Sequence, residues 1–276
     1  MDRVTPKKSL GQNFLVDRNV AQKIVRGFDP APGERIVEIG PGEGALTGLL
    51  LEAGARVTAV ELDREAAAAI ERRFAAAIAD GMLEILPADI LTVDHAALAA
   101  ERGVERMRVI GNIPYYITSP ILFHLIAQRS AIGDVVLMMQ REVADRLVAR
   151  ERTKEYGILA VAMQTYATVE RLFTVPPTCF VPRPKVTSAV VRLRFRETTG
   201  VEGIEEEHRA IVRNAFGQRR KTLNNALSGL LSDGEERSTI FAAAKIDPGR
   251  RAEELTRDEF AHLAGVFAAA RARQRG

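Results

Sequence analysis

The stretch Arg35-Ile36-Val37-Glu38-Ile39-Gly40-Pro41-Gly42-Glu43-Gly44-Ala45 decides the fold. Arg35–Ile39 carries a short run of β-branched residues, the pattern of a buried strand. Gly40–Gly44 follows as a turn, and Ala45–Leu51 starts a helix. Glycines between a strand and a helix let the backbone approach a ligand closely and take dihedrals that a side chain forbids. The helix behind such a loop offers unpaired N–H groups in its first turn. Arg56–Val60 reads as a second strand, and Glu61 ends it. A carboxylate at that point, about twenty residues past the loop, accepts two hydrogen bonds from a ribose diol.

Outward from this unit, strands and helices alternate. Leu83–Leu86, Arg108–Ile110 and Val135–Met139 read as third, fourth and fifth strands. Asp17 is placed to cap a helix whose Val20, Ile24, Val25 and Phe28 share one face. Asp63 to Ala79 reads as one helix with Ile70, Phe74 and Ile78 at four-residue spacing. A further helix is expected with Ser119 as its cap, Pro120 at its first position and Ile121, Leu122, Leu125 and Ile126 inside. This order implies βαβ units, an α/β class and a largely parallel, Rossmann-like sheet. Ser188–Phe195 alternates, with Ala189, Val191, Leu193 and Phe195 on one side and Arg192 and Arg194 on the other. It is expected to be a half-exposed edge strand that closes the sheet. Gly200, Gly203 and the glutamates within 197–207 break the pattern. The boundary is placed there, giving a catalytic domain over 1–198 and a small all-helical domain over 199–276. Thr256 and Glu259 form a capping box ahead of Phe260, Leu263, Val266 and Phe267.

Composition narrows the classes. The chain has 276 residues, a net charge of +3, a single cysteine (Cys179) and four histidines. One cysteine forms neither an internal disulfide nor a cysteine-based zinc cage, so no metal site is expected. The basic, polar segment Met1–Gly11 lacks the apolar core of a signal peptide. Asn112, Pro114 and Pro120 interrupt the apolar run Ile110–Ile126, so no membrane span is expected. A soluble, cytoplasmic monomer is the expectation.

The glycine loop leaves two cofactors open. Gly40-x-Gly42-x-x-Ala45 also satisfies the dinucleotide fingerprint, so NAD competes with S-adenosylmethionine. Asp89, after the third strand, favours the latter because a carboxylate there can receive the amine of a bound adenine. Asn112-Ile113-Pro114-Tyr115 follows the fourth strand at the same sheet edge. It suits methylation of adenine N6, a poor nucleophile whose lone pair is delocalised into the ring. The Asn112 side-chain carbonyl and the Pro114 backbone carbonyl are candidate acceptors for the amine hydrogens, and Tyr115 can stack on the base.

These residues resemble the KsgA/RsmA family of ribosomal RNA adenine dimethyltransferases, relatives of the Erm methyltransferases. The likeness runs through residues 7–15, Val37 to Thr47, Gly111 to Tyr116, Val175 through Leu193, and Phe216 to Leu223. It implies a class I methyltransferase sheet, S-adenosylmethionine as cofactor, and cofactor contacts from Asn13, Leu15, Gly40, Glu61, Asp89 and Asn112. It implies that Phe180 sandwiches the target base opposite Tyr115. The implied reaction is dimethylation of two adjacent adenosines near the 3′ end of 16S ribosomal RNA in the immature 30S subunit. Lys7, Lys8, Arg141, Arg146, Arg219, Arg220 and Lys221 are the candidate phosphate contacts. Acids gathered at Glu205–Glu207, Glu235–Glu236 and Glu253–Glu254 lead to the expectation of one basic side.

Overall fold

The computed structural model describes residues 5–7, 11–231 and 233–275. A two-residue strand β1 (Phe14–Leu15) precedes α1 (Arg18–Phe28), β2 (Arg35–Ile39), α2 (Ala45–Glu52) and β3 (Arg56–Val60). Then follow α3 (Arg64–Arg73), α4 (Ala75–Ala79), β4 (Leu83–Leu86), α5 (His95–Glu101), β5 (Met107–Asn112), α6 (Thr118–Ala127) and β6 (Ile132–Gln140). After α7 (Arg141–Leu147) and α8 (Ile158–Tyr166) come β7 (Ala167–Val175), β8 (Phe180–Val181) and β9 (Ser188–Phe195). The chain ends in α9 (Glu205–Gly217), α10 (Leu223–Ala226), α11 (Gly234–Ala244) and α12 (Arg257–Arg275).

Seven strands form one sheet in the order β4-β3-β2-β5-β6-β9-β7. Strands β2 to β6 run parallel, and β9 joins β6 antiparallel. The order reverses at β2, between β3 and β5, and such a switch point opens a crevice at the carboxyl ends of the strands. The central strands are buried on both faces, which is why they are apolar runs rather than alternations. Asp17 caps α1 by accepting from the Asn19 and Val20 amides at 2.9 and 3.1 Å. Opposite charges tie the strands together. Arg108 on β5 bridges Glu34 and Asp134, both at 3.0 Å, and Arg192 on β9 also pairs with Asp134.

The chain divides into two compact units. One holds the residues through Ala144 with Val169–Phe195, and the other holds Asp145–Thr168 with Arg196 onward. The second unit thus takes an inserted segment that a single boundary near residue 198 leaves in the first. The reason is packing: Tyr156, Ala160 and Val161 share a core with Ile211, Leu223, Phe241, Phe260 and Phe267. The Tyr156 hydroxyl donates to the Leu255 carbonyl at 2.9 Å. Within this unit the expected capping box forms, with Thr256 N donating to Glu259 at 2.8 Å and Glu259 N to Thr256 Oγ1 at 3.1 Å.

Three local expectations need correction. Strand β9 lies between β6 and β7 rather than at the edge, because β7 covers it and Asp134 neutralises the outward-facing Arg192. The helix expected over 63–79 breaks at Phe74 (φ −114°, ψ 28°) into α3 and α4. Helix α6 begins at Thr118 without a side-chain cap, which puts Ser119 and Pro120 inside its first turn. Thr118 Oγ1 instead bonds back to the Pro114 and Tyr115 carbonyls, at 3.3 and 3.2 Å.

Candidate active site

Parallel strands deliver their C-terminal loops to one edge, and four of the expected residues meet there. Gly40 after β2, Glu61 after β3, Asp89 after β4 and Asn112 at the end of β5 line one cleft. Asn13, Ile113, Pro114 and Tyr115 line it too. Gly40, Gly42 and Gly44 all adopt positive φ, at 62°, 57° and 80°. At Gly42 a side chain is also excluded by space, because a Cβ would sit 2.7 Å from the Phe14 ring.

Glu61 is 7% exposed and shares its oxygens between two backbone amides, Asp63 at 2.9 Å and Gly42 at 3.4 Å. Burial raises its pKa, against the pull of those amides. Asp89 uses Oδ1 to accept from the Leu91 amide at 3.0 Å, which leaves Oδ2 for a ligand. Leu62 and Ile90, next in the chain to the two acids, add apolar wall. Two acceptors, glycine-loop backbone and apolar walls lining one cleft match an adenosine-bearing cofactor.

Asn112 donates its side-chain N–H to the Asn13 backbone carbonyl at 2.8 Å. This fixes the amide and leaves Oδ1 without a donor among the described residues. The Pro114 carbonyl is already engaged by the Ile117 amide and the Thr118 hydroxyl, both at 3.3 Å. The preceding carbonyl, of Ile113, accepts no hydrogen bond among the described residues, while the Ile113 amide is spent on Met138. Beside Asn112 Oδ1, the carbonyl left open is thus that of Ile113, whereas the sequence pointed to Pro114. Tyr115 is half-buried and its hydroxyl lies 2.6 Å from Ser188 Oγ at the start of β9. Burial pushes the phenol pKa up, so the ring stays neutral. Ser188 is a site residue that the sequence did not single out; only pairing of β9 with β6 brings it there.

Other expectations fare unevenly. Leu15 is 5% exposed and lines a smaller adjoining cavity with Gly40 and Asn112 rather than the main cleft. Phe180, opposite Leu15 across the β1–β8 pairing, is 2% exposed, sits in the core and does not line the cleft. Alternation along β8 turns Phe180 inward and leaves Val181 out. Lys7 is committed to Asp63 at 2.6 Å, and Gln12 Nε2 reaches the other Asp63 oxygen at 3.1 Å. Lys8 lies outside the described residues. Arg219 pairs with Glu253 at 2.9 Å and caps the Thr153 and Lys154 carbonyls. That pair brings one acid of the Glu253–Glu254 group against one base of the 219–221 cluster. Arg141 and Arg146 on α7, and Arg220 and Lys221 after α9, are exposed.

Beneath the glycine loop, Glu38 is 1% exposed and accepts from Thr47 Oγ1 at 2.6 Å. Burial is the main cause that raises its pKa to about 7, with the Glu61 charge adding to it and Thr47 opposing. A raised carboxylate pKa leaves stability intact below the unfolded value and removes it as pH climbs to the folded one. The window runs from 4.5 to about 7. Glu38→Gln is expected to be more stable than the native chain at pH 8, by up to ~3 kcal/mol less the cost of an unpaired amide N–H. The gap should close toward pH 4.5 in urea titrations. A gap that ignores pH contradicts this.

Comparison with known proteins converges on the same chemistry. The family model of ribosomal RNA adenine dimethylase matches residues 3–269. Ribosomal RNA small subunit methyltransferase A of Methylococcus capsulatus is 48% identical over 261 residues, covering 95% of this chain and 97% of that protein. The protein of that name from Desulfitobacterium hafniense is 45% identical over 256 residues, covering 92% and 89%. Among solved structures, a dimethyladenosine transferase from Plasmodium falciparum aligns with a TM-score of 0.76 at 23% identity, over 93% of this chain and 98% of that one, a likeness of fold. The 23S rRNA methyltransferase ErmE aligns with a TM-score of 0.68 at 26% identity, over 93% and 100%. By its matched length and its identity to these relatives, the chain belongs to the ribosomal RNA adenine dimethylase family.

Proposed function

We propose that this protein dimethylates N6 of two adjacent adenosines near the 3′ end of 16S ribosomal RNA in the immature 30S subunit, as a cytoplasmic monomer. Its class follows from its family: it is an S-adenosylmethionine-dependent ribosomal RNA adenine dimethyltransferase. The observation that carries the chemistry is the Asn112 amide, pinned on Asn13 in the cleft that Glu61 and Asp89 also line.

Bound S-adenosylmethionine supplies an electrophilic methyl group on a positively charged sulfur. Glu61 is suited to hold its ribose diol, Asp89 its adenine amine, and the Gly40–Gly42 backbone the remainder. The target adenosine must leave its stack to reach the cleft. Tyr115, held by Ser188, offers its ring to that base. In the first transfer Asn112 Oδ1 and the Ile113 carbonyl accept the two N6 hydrogens, and in the second the one remaining hydrogen is left to a single acceptor; either bond favours a pyramidal nitrogen with its lone pair exposed. Positioning supplies most of the acceleration, and no strong base is needed. The proton leaves afterwards, when the amine is cationic. Phe180 could face the base only if its side chain left the core, so Tyr115 is assigned the stacking role alone.

Arg220 and Lys221, with Arg141 and Arg146, are assigned to phosphate contact, which positions RNA while the cleft selects the base. The small-subunit reading is supported by the names of the relatives at 45–48% identity, against 26% for ErmE. It is tested by offering equal amounts of immature small subunits and protein-free 23S RNA. Dimethyladenosine in the small subunit is the expected product; dimethyladenosine only in the 23S RNA would move the substrate to the large subunit.

A further inference from the structure

We infer that Tyr116 is a stacking platform for the base next to the target adenosine. The inference rests on the function proposed above and adds a second nucleotide subsite at the lip of the same cleft. Tyr115 and Tyr116 open a 3-10 turn over Tyr115–Ile117. With three residues per turn, consecutive side chains on such a turn point about 120° apart. Tyr115 accordingly turns inward to Ser188, while Tyr116 lines the cleft yet remains 55% exposed.

Tyr116 is not loose. Its ring lies against the backbone of Gly11, where a Cβ would come within 3.0 Å of Cδ1 and 3.5 Å of Cε1. Gly11 also holds φ at 56°, so a side chain there would be strained by conformation and crowded against the ring. The strap carrying Gly11 is anchored just after it, by Gln12 donating to Asp63 and by Asn112 donating to the Asn13 carbonyl. One side of the ring is therefore braced and the rest faces water. Single exposed apolar side chains are ordinary. This one borders the pocket for the reacting base and continues into an outward face, with Pro120 exposed and Phe123 43% exposed at four- and seven-residue spacing.

The occupant follows from the reaction. A base that swings into the cleft leaves its chain neighbour at the rim without a stacking partner. An aromatic ring there replaces the lost contact, and it does so for any base, because every base has a π-face. Tyr116 thus lowers the cost of extruding the target without choosing its identity.

The test uses immature small subunits and the full-length protein, with and without an abasic nucleotide beside the methylated adenosine. On intact substrate, Tyr116→Ala should lower kcat/KM for RNA about tenfold, and Tyr116→Phe should stay within about twofold. Affinity for S-adenosylmethionine should not change in either. On the abasic substrate, native protein and Tyr116→Ala should react alike. An equal gap on both substrates, or no gap on the intact one, overturns the platform. A loss of cofactor affinity in Tyr116→Ala also overturns it, because the ring would then act through the strap. No adenine methylation by the native protein would reject the proposed function itself, and the platform with it.

Discussion

Asn112→Ala is expected to lower kcat by about 10²–10³-fold while RNA affinity holds within about twofold. The amide carbonyl meets the target amine most strongly as the nitrogen becomes pyramidal, so its loss falls on the transition state. Affinity is carried by phosphate contacts and base stacking, which the substitution leaves in place. Part of the effect is indirect, because the side chain also donates to the Asn13 carbonyl at 2.8 Å and so holds the strap. Asn112→Asp separates the two roles. It keeps an acceptor for the amine but sets a carboxylate against the Asn13 carbonyl. If acceptance alone matters, Asp should retain far more turnover than Ala; if the strap matters as much, both should fail together. Unchanged turnover in Asn112→Ala, measured with saturating cofactor, would remove Asn112 from the mechanism.

Glu61→Ala is expected to weaken S-adenosylmethionine binding about 10–100-fold, read by calorimetry. Hydrogen bonds to a charged acceptor are the strong ones, and the diol would lose two of them. The change also frees the Gly42 and Asp63 amides that Glu61 now receives, so the glycine loop loses a tether. Glu61→Gln does not rescue this arrangement, since its amide N–H would point at a backbone N–H. The raised pKa gives a second signature. As pH falls toward that raised value the carboxylate gains a proton, so native affinity should drop, whereas Glu61→Ala should show no such dependence on this group. Unaltered affinity in Glu61→Ala would take the ribose away from Glu61.

The cofactor half of the site was legible because a parallel sheet delivers its loops to one edge. Gly40, Glu61 and Asp89 follow a short apolar strand and Asn112 ends one, so their placement needs only the strand ends and their order. What escaped depends on contacts distant in sequence. The antiparallel β9 carries Ser188 to Tyr115, a separation of 73 residues that no local pattern encodes. The polar, half-exposed β7 has no apolar run to mark it, so β9 looked like the edge. Arg219 looked like a phosphate contact by composition, yet it spends its charge on Glu253 and on carbonyls of the inserted segment. That the Pro114 carbonyl is engaged while its predecessor's is open follows from a 3-10 turn, which depends on backbone geometry rather than residue type.

The central claim is that this cleft presents adenine N6 for methylation. It is tested most directly by incubating native protein and Asn112→Ala with immature small subunits and labelled S-adenosylmethionine, then digesting the RNA to nucleosides for mass spectrometry. Label in N6,N6-dimethyladenosine from the native protein, falling at least about a hundredfold in initial rate with Asn112→Ala, is the predicted result. Label on another base, on another atom of adenine, or at an equal rate with both proteins would contradict it.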